Sequence, residues 1–169
     1  PLMKSEFGFD LVSREILLLS NNVILVVAAA SVFLGTLFPM VYQAITDDLI
    51  SIGPPYFNAI FIPLMALLAL LLSIGPYTRW KRTSTTYLMQ QLGKVALAAL
   101  TLGVVLPLLV TSQISIPVTT AVALGSWIIL AMLQDVINKT TNKATRLKGL
   151  RALSVSYYGM LMAHIGVAI

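Results

Sequence analysis

An all-α fold, a polytopic bundle of about five transmembrane helices with its N-terminus cytoplasmic, is what this sequence predicts. Three observations carry that reading. Of the 169 residues, 58% are hydrophobic and only 10% are charged, whereas a soluble domain carries about 25% charged residues. The apolar residues fall in blocks close to the roughly 17–25 that a helix needs to cross a bilayer. The basic residues, eleven against six acidic ones, gather in alternate connections, as in multi-pass proteins that keep Lys and Arg on the cytoplasmic side.

Residues 1–15 are polar and of mixed charge, and read as a cytoplasmic lead-in. Ser13-Arg14-Glu15 opens the first apolar run, expected as a span over about 16–44. Pro39 within it lacks the N–H that would bond the Gly35 carbonyl, so a kink is expected there. Thr36 is placed to help satisfy the freed group. The first connection holds Asp47, Asp48 and Gly53-Pro54-Pro55-Tyr56, with no basic residue. A second span is expected over about 57–74, with Pro63 near its first turns and Gly75-Pro76 as its stop.

The next connection carries Arg79, Trp80, Lys81 and Arg82. Span three is expected over about 87–111, with Lys94 snorkelling back to the basic side. The uncharged stretch 112–116 leads into span four, about 117–137, with Pro117 suited to a first helical turn. Lys139, Lys143, Arg146, Lys148 and Arg151 follow, and span five covers about 152–169. Counted in order, the lead-in holds two basic residues and the connections hold none, three, none and five. That alternation puts residues 75–86 and 138–151 inside, and 45–56 and 112–116 outside. The two basic loops suit a membrane's cytoplasmic face rather than nucleic acid. Pro1 in place of Met, and an apolar run still open at Ile169, lead us to expect a piece truncated at both ends.

No cysteine is present, which excludes disulfides, thiolate metal sites and a cysteine nucleophile on this chain. No P-loop, HExxH, GxSxG or CxxC motif appears. The lone histidine, His164, is the principal candidate site. It lies thirteen residues, about 20 Å of helix, beyond Arg151, from mid-membrane to the outer half. An ionisable side chain at that depth calls for a partner. It can tie two helices by a hydrogen bond, or it can bind a metal, and haem clamped between histidines of two helices is the metal site that fits one histidine per helix. A proton relay would need more carboxylates or histidines at depth than Asp135 alone, and Asp135 is spaced to pair with Lys139 on one helix.

Helical phase puts Leu153, Tyr157, Met160, Leu161, Val167 and Ala168 on the His164 face. Gly159, Ala163 and Gly166 form another stripe, suited to close helix packing. The expectation is that the helix packs by the small stripe and turns His164 toward an apolar space. The second candidate is Gly53-Pro54-Pro55-Tyr56-Phe57-Asn58. It reads either as a stiff outer turn with an interfacial aromatic anchor or as a docking edge for a ligand or partner.

Several stretches in order along residues 9–169 resemble the CcmF-type membrane haem lyases of cytochrome c biogenesis, with the related nitrite-reductase maturation proteins. They are Ser13-Arg14-Glu15 with Leu17–Asn22, Leu34-Gly35-Thr36-Leu37-Phe38-Pro39, Gly53–Asn58, Gly75-Pro76 with Trp80-Lys81, and Tyr157-Tyr158-Gly159-Met160 with Ala163-His164-Ile165-Gly166. The resemblance begins after the family's tryptophan-rich WWD segment, which is missing here.

The resemblance implies a multi-pass protein of the bacterial inner membrane. Its function would be to hold a membrane b-type haem and help attach haem covalently to apocytochrome c in the periplasm. It implies haem b as cofactor, with His164 as one axial ligand of the iron and the second ligand outside this piece. It implies membrane lipid, the haem chaperone CcmE, apocytochrome c and other maturation subunits as partners. A piece alone is expected to be inactive as a lyase, and no catalytic residue is named on it. The rival from another class is a non-catalytic membrane scaffold or transporter subunit whose histidine is structural.

Overall fold

The computed structural model describes residues 12–80, 83–141 and 146–169. Its helices are α1 (Arg14–Thr46), α2 (Pro54–Ile74, continued by a 3-10 turn over Gly75–Tyr77), α3 (Thr85–Thr111), α4 (Ile116–Thr140), α5 (Arg146–Arg151) and α6 (Val155–Ala168). No strand forms among the described residues. The fold is all-α, and α1 to α4 are each long and apolar enough to cross a membrane. Parts of the lead-in and of both basic loops, including Lys4, Lys81, Arg82 and Lys143, lie outside the described residues.

The fifth expected span differs. Its segment is divided into α5 and α6, separated at Ala152–Ser154. Ser154 extends there and its Oγ accepts from the Tyr157 N–H at 3.2 Å, starting a new helix. The 14 residues of α6 run to Ala168, beside the last residue of the sequence.

The chain forms two packing units. One, Leu18–Leu68, is the α1–α2 hairpin. Asp47, at φ 57°, ends α1 in the left-handed region that Asp tolerates. Residues 54–58 are not a loop: they are the first turns of α2. Proline at a helix start loses no hydrogen bond, so the Pro-Pro pair begins the helix where it was expected to hold a turn. Pro63 therefore sits mid-helix. Tyr56 and Phe57 point back onto α1, edge to face at 5.2 Å. A Cβ at Gly35 would stand 2.7 Å from the Tyr56 ring and 3.0 Å from Phe57. The Tyr56 hydroxyl donates to the Ser31 carbonyl at 3.2 Å. Thr36 donates to the Val32 and Phe33 carbonyls, not to the carbonyl that Pro39 frees.

The other unit joins the first turn of α1 to Ala69–Ile169. Its core is Ala69, Tyr77, Leu92, Val95, Ile128, Ala131, Met132 and Leu161. On α4 the buried positions Ile128, Ala131, Met132 and Asp135 fall at i, i+3, i+4 and i+7, the pattern of one helix face. Gly103 lets α3 and α4 close up, since a Cβ there would lie 2.5 Å from the Ala123 Cβ. The expected inner segments meet at one end. Thr83 N–H donates to the Val12 carbonyl (3.0 Å) and Arg14 N–H to the Arg79 carbonyl (3.1 Å). The Arg14 guanidinium stands 5.3 Å from the Trp80 ring, and Trp80 is exposed, as aromatic side chains at a membrane interface are.

Candidate functional site on the α4–α6 seam

Helix α6 lies along α4, and its packed face is the bulky one. Leu161 is buried, Tyr157, Met160 and Ala168 pack against the core, and His164 is half-buried among them. Gly159, Ala163 and Gly166 are exposed, and a Cβ at either glycine would meet nothing within 4 Å. The expected orientation is thus reversed. The large side chains fill the groove beside α4, and the small stripe is the open face. Without a hydrophobic drive between helices in lipid, such a contact rests on van der Waals fit and interhelical hydrogen bonds, and the bulky face offers both.

Two close approaches hold the seam. Near the start of α6, the Tyr157 hydroxyl donates to the Asp135 Oδ2 at 2.7 Å. The same oxygen receives the Lys139 ammonium, also at 2.7 Å, as the spacing of four predicted. Lys139 further lies 4.1 Å from the centre of the Tyr157 ring. Asp135 itself is only 5% exposed. Beside it, Tyr77 donates to the Ala131 carbonyl at 2.6 Å. At the other end, a Cβ on Gly125 would fall 2.9 Å from the Ala168 carbonyl oxygen, so the absent side chain admits the α6 backbone.

His164 lies between these anchors, two turns after Tyr157 and one turn before Ala168. Its Nδ1 is 2.8 Å from the Met160 carbonyl oxygen, one turn back on its own helix. The bond is therefore intrahelical and does not tie α6 to another helix. A carbonyl only accepts, so Nδ1 carries a proton and donates, and in the neutral tautomer Nε2 keeps its lone pair. Metal-bound histidines characteristically give the second ring N–H to a carbonyl or carboxylate, which fixes tautomer and ring orientation. The donor set fits one axial position of a haem iron. No cluster of three or more His, Asp or Glu that could hold another kind of metal occurs among the described residues.

The second predicted site, Gly53–Asn58, belongs to the other packing unit. Its aromatics are half-buried against α1, leaving Pro54, Pro55 and Asn58 exposed. The Tyr157–Asp135 bond escaped the sequence reading. The sequence shows a lone carboxylate at depth and a tyrosine two turns before the histidine on the same face, but no local pattern pairs them. Trp127 Nε1 and Thr119 Oγ1, both on α4, are buried without a hydrogen-bond partner among the described residues.

Across its full length the chain is 45% identical to the cytochrome c-type biogenesis protein CcmF of Pseudomonas fluorescens, of which it covers 25%. It is 36% identical over 168 residues to CcmF of Escherichia coli K12, with 99% of this chain and 25% of that protein aligned. It is 29% identical over 166 residues to the cytochrome c-type biogenesis protein NrfE of Haemophilus influenzae, with 98% of this chain and 25% of that protein aligned. The chain thus spans about a quarter of the length of these relatives. No family model matches it, and no solved structure does.

Proposed function

We propose, from the premise that this chain belongs to the CcmF-type cytochrome c-type biogenesis proteins, that it forms one wall of a membrane b-haem site. His164 would hold the haem iron through Nε2. The observation that carries this is the intrahelical Nδ1 bond to Met160, which leaves Nε2 uncommitted and aimed by a fixed ring. When bound, haem supplies a redox-active iron whose potential is set by the axial imidazole and the apolar surroundings. The chain's own residues bind and orient. Met160 holds the ring, and Leu161 and Ile128 help keep the seam apolar.

The longer protein, in this reading, takes haem from a CcmE-type chaperone and helps attach it to apocytochrome c in the periplasm. The exposed Pro54, Pro55 and Asn58, at the outer start of α2, form part of the rim facing those partners. No residue of this chain is assigned a role as nucleophile or general base. The rival scaffold reading needs His164 to tie helices together, whereas its hydrogen bond stays within α6.

The test is a reduced-minus-oxidised difference spectrum of membranes holding the full-length protein. A b-type band is expected in the unmodified protein and in Met162→Ala, an exposed neighbour on α6. It is expected to vanish in His164→Ala. A band unchanged in His164→Ala sinks the ligand assignment.

A further inference from the structure

A histidine on a helix can serve as a ligand only if the helix is held in rotation as well as in depth. One residue of slip turns an α-helical side chain by about 100°. On the face that α6 turns toward α4, one polar side chain reaches the neighbouring helix in a hydrogen bond, Tyr157 to Asp135. Tyr157 and His164 are seven residues apart and lie within about 20° on the helix. The bond therefore fixes the azimuth of the face that carries the histidine. Apolar contacts alone would specify it less sharply, because Met160 and Leu161 can repack around a small rotation. The Gly125–Ala168 approach limits tilt at the far end but tolerates rotation, since it is a backbone contact.

Asp135 is built for this task. It is nearly buried, and its Oδ2 takes both the Tyr157 hydroxyl and the Lys139 ammonium at 2.7 Å. Lys139, on the same helix one turn on, contacts the same oxygen, and hydrogen bonds between charged partners are the strong ones. The ammonium also rests on the Tyr157 ring. Lys139 and Asp135 thus grip one tyrosine from two directions, by its face and by its hydroxyl.

We propose that Asp135 and Tyr157, supported by Lys139, are positioning residues for His164, a latch that sets the rotation of α6. This rests on the reading of His164 as a haem ligand, and the test separates the two. Two measurements are made on the full-length protein: the distance distribution between spin labels at the exposed positions Leu133 (α4) and Met162 (α6), and haem retention with the low-spin ferric electron paramagnetic resonance signal. Tyr157→Phe keeps the ring and loses the bond. It should broaden or displace the α4–α6 distance distribution, shift the ferric signal and weaken haem retention about tenfold, the lower end of what loss of a ligand-orienting partner costs. Asp135→Ala should do the same, whereas Asp135→Asn, which keeps an oxygen acceptor, should restore the distance and the signal. His164→Ala should lose haem with the distance unchanged. An unaltered distance and ferric signal in Tyr157→Phe overturns the latch. Haem retained in His164→Ala overturns the ligand reading instead, and the distance measurement still reports whether Tyr157 sets the seam.

Discussion

Placing a methyl group at Gly103 tests whether α3 and α4 are held by close approach of their backbones. A Cβ at Gly103 would stand 2.5 Å from the Ala123 Cβ, 2.9 Å from the Ala123 Cα and 3.0 Å from the Thr119 carbonyl oxygen. Carbon atoms pack at about 3.5–4.0 Å, so Gly103→Ala requires roughly 1 Å of local separation. Neither neighbour can yield by turning a side chain, because one is an alanine and the other is backbone. Overpacking of this kind costs about 1–3 kcal/mol, a factor of roughly 5–150 in the folding equilibrium. Gly93→Ala on the same helix is the control, since a Cβ there meets nothing within 4 Å. Both variants gain helix propensity, worth about 1 kcal/mol in water, so their difference isolates the steric cost. Reversible unfolding of the full-length protein in mixed micelles, followed by helical circular dichroism, measures it. Ala123→Gly should restore only part of the loss in Gly103→Ala, since it removes the 2.5 Å contact and leaves the two backbone ones. Equal stability of Gly103→Ala and Gly93→Ala would refute the close-packing argument.

Three further outcomes follow from individual contacts and are read by the same unfolding experiment. Tyr77→Phe removes the hydroxyl that bonds the Ala131 carbonyl at 2.6 Å, and should cost about 1 kcal/mol; no measurable change would show that the bond contributes nothing net. Ser154→Ala removes the side-chain cap of α6 and should cost about 0.5–2 kcal/mol, while Ser154→Asp should hold stability. Gly35→Ala would press a methyl against the Tyr56 and Phe57 rings. It should destabilise the α1–α2 hairpin by about 1–3 kcal/mol, and Gly35→Ala with Phe57→Leu should recover part of it.

Length and charge made the long helices legible. Arg14–Thr46, Thr85–Thr111 and Ile116–Thr140 begin and end within three residues of the expected bounds, because apolar runs and flanking polar residues are one-dimensional signals. The start of α2 was missed for a chemical reason. Pro54 and Pro55 look like loop residues, yet the first turn of a helix has N–H groups without intrahelical partners, and proline forfeits nothing there. The break at Ala152–Ser154 was missed because those residues read as a continuous apolar approach, and only the extended backbone at Ser154 shows where α5 ends and α6 starts. Asp135–Lys139 was legible from spacing alone, since both partners share a helix. Tyr157–Asp135 was not, since no local pattern says which residue of another helix a carboxylate will meet.

The face of α6 shows the limit most clearly. Small residues at helical spacing permit close packing but do not compel it, and in lipid an open small stripe costs little because tails solvate it as well as they solvate leucine. A buried carboxylate is different. Asp135 cannot be left without donors in low dielectric, so whichever helix supplies one is bound to that side of α4. Lys139 supplies one from within α4, and Tyr157 supplies the other from α6. That demand, more than the apolar pattern, selects which side of α6 turns inward. His164 follows because it shares a face with Tyr157. The same reasoning predicts that moving the donor moves the histidine. Tyr157→Phe combined with Tyr at position 158 would offer the hydroxyl about 100° around the helix, and Tyr158 already stands there, bonded to the Leu150 carbonyl at 2.8 Å. If Tyr158 takes over Asp135 in Tyr157→Phe, the α4–α6 label distance should settle at a new narrow value. If it stays on Leu150, the distribution should simply widen. A distribution identical to that of the unmodified protein would mean that the carboxylate does not choose the face.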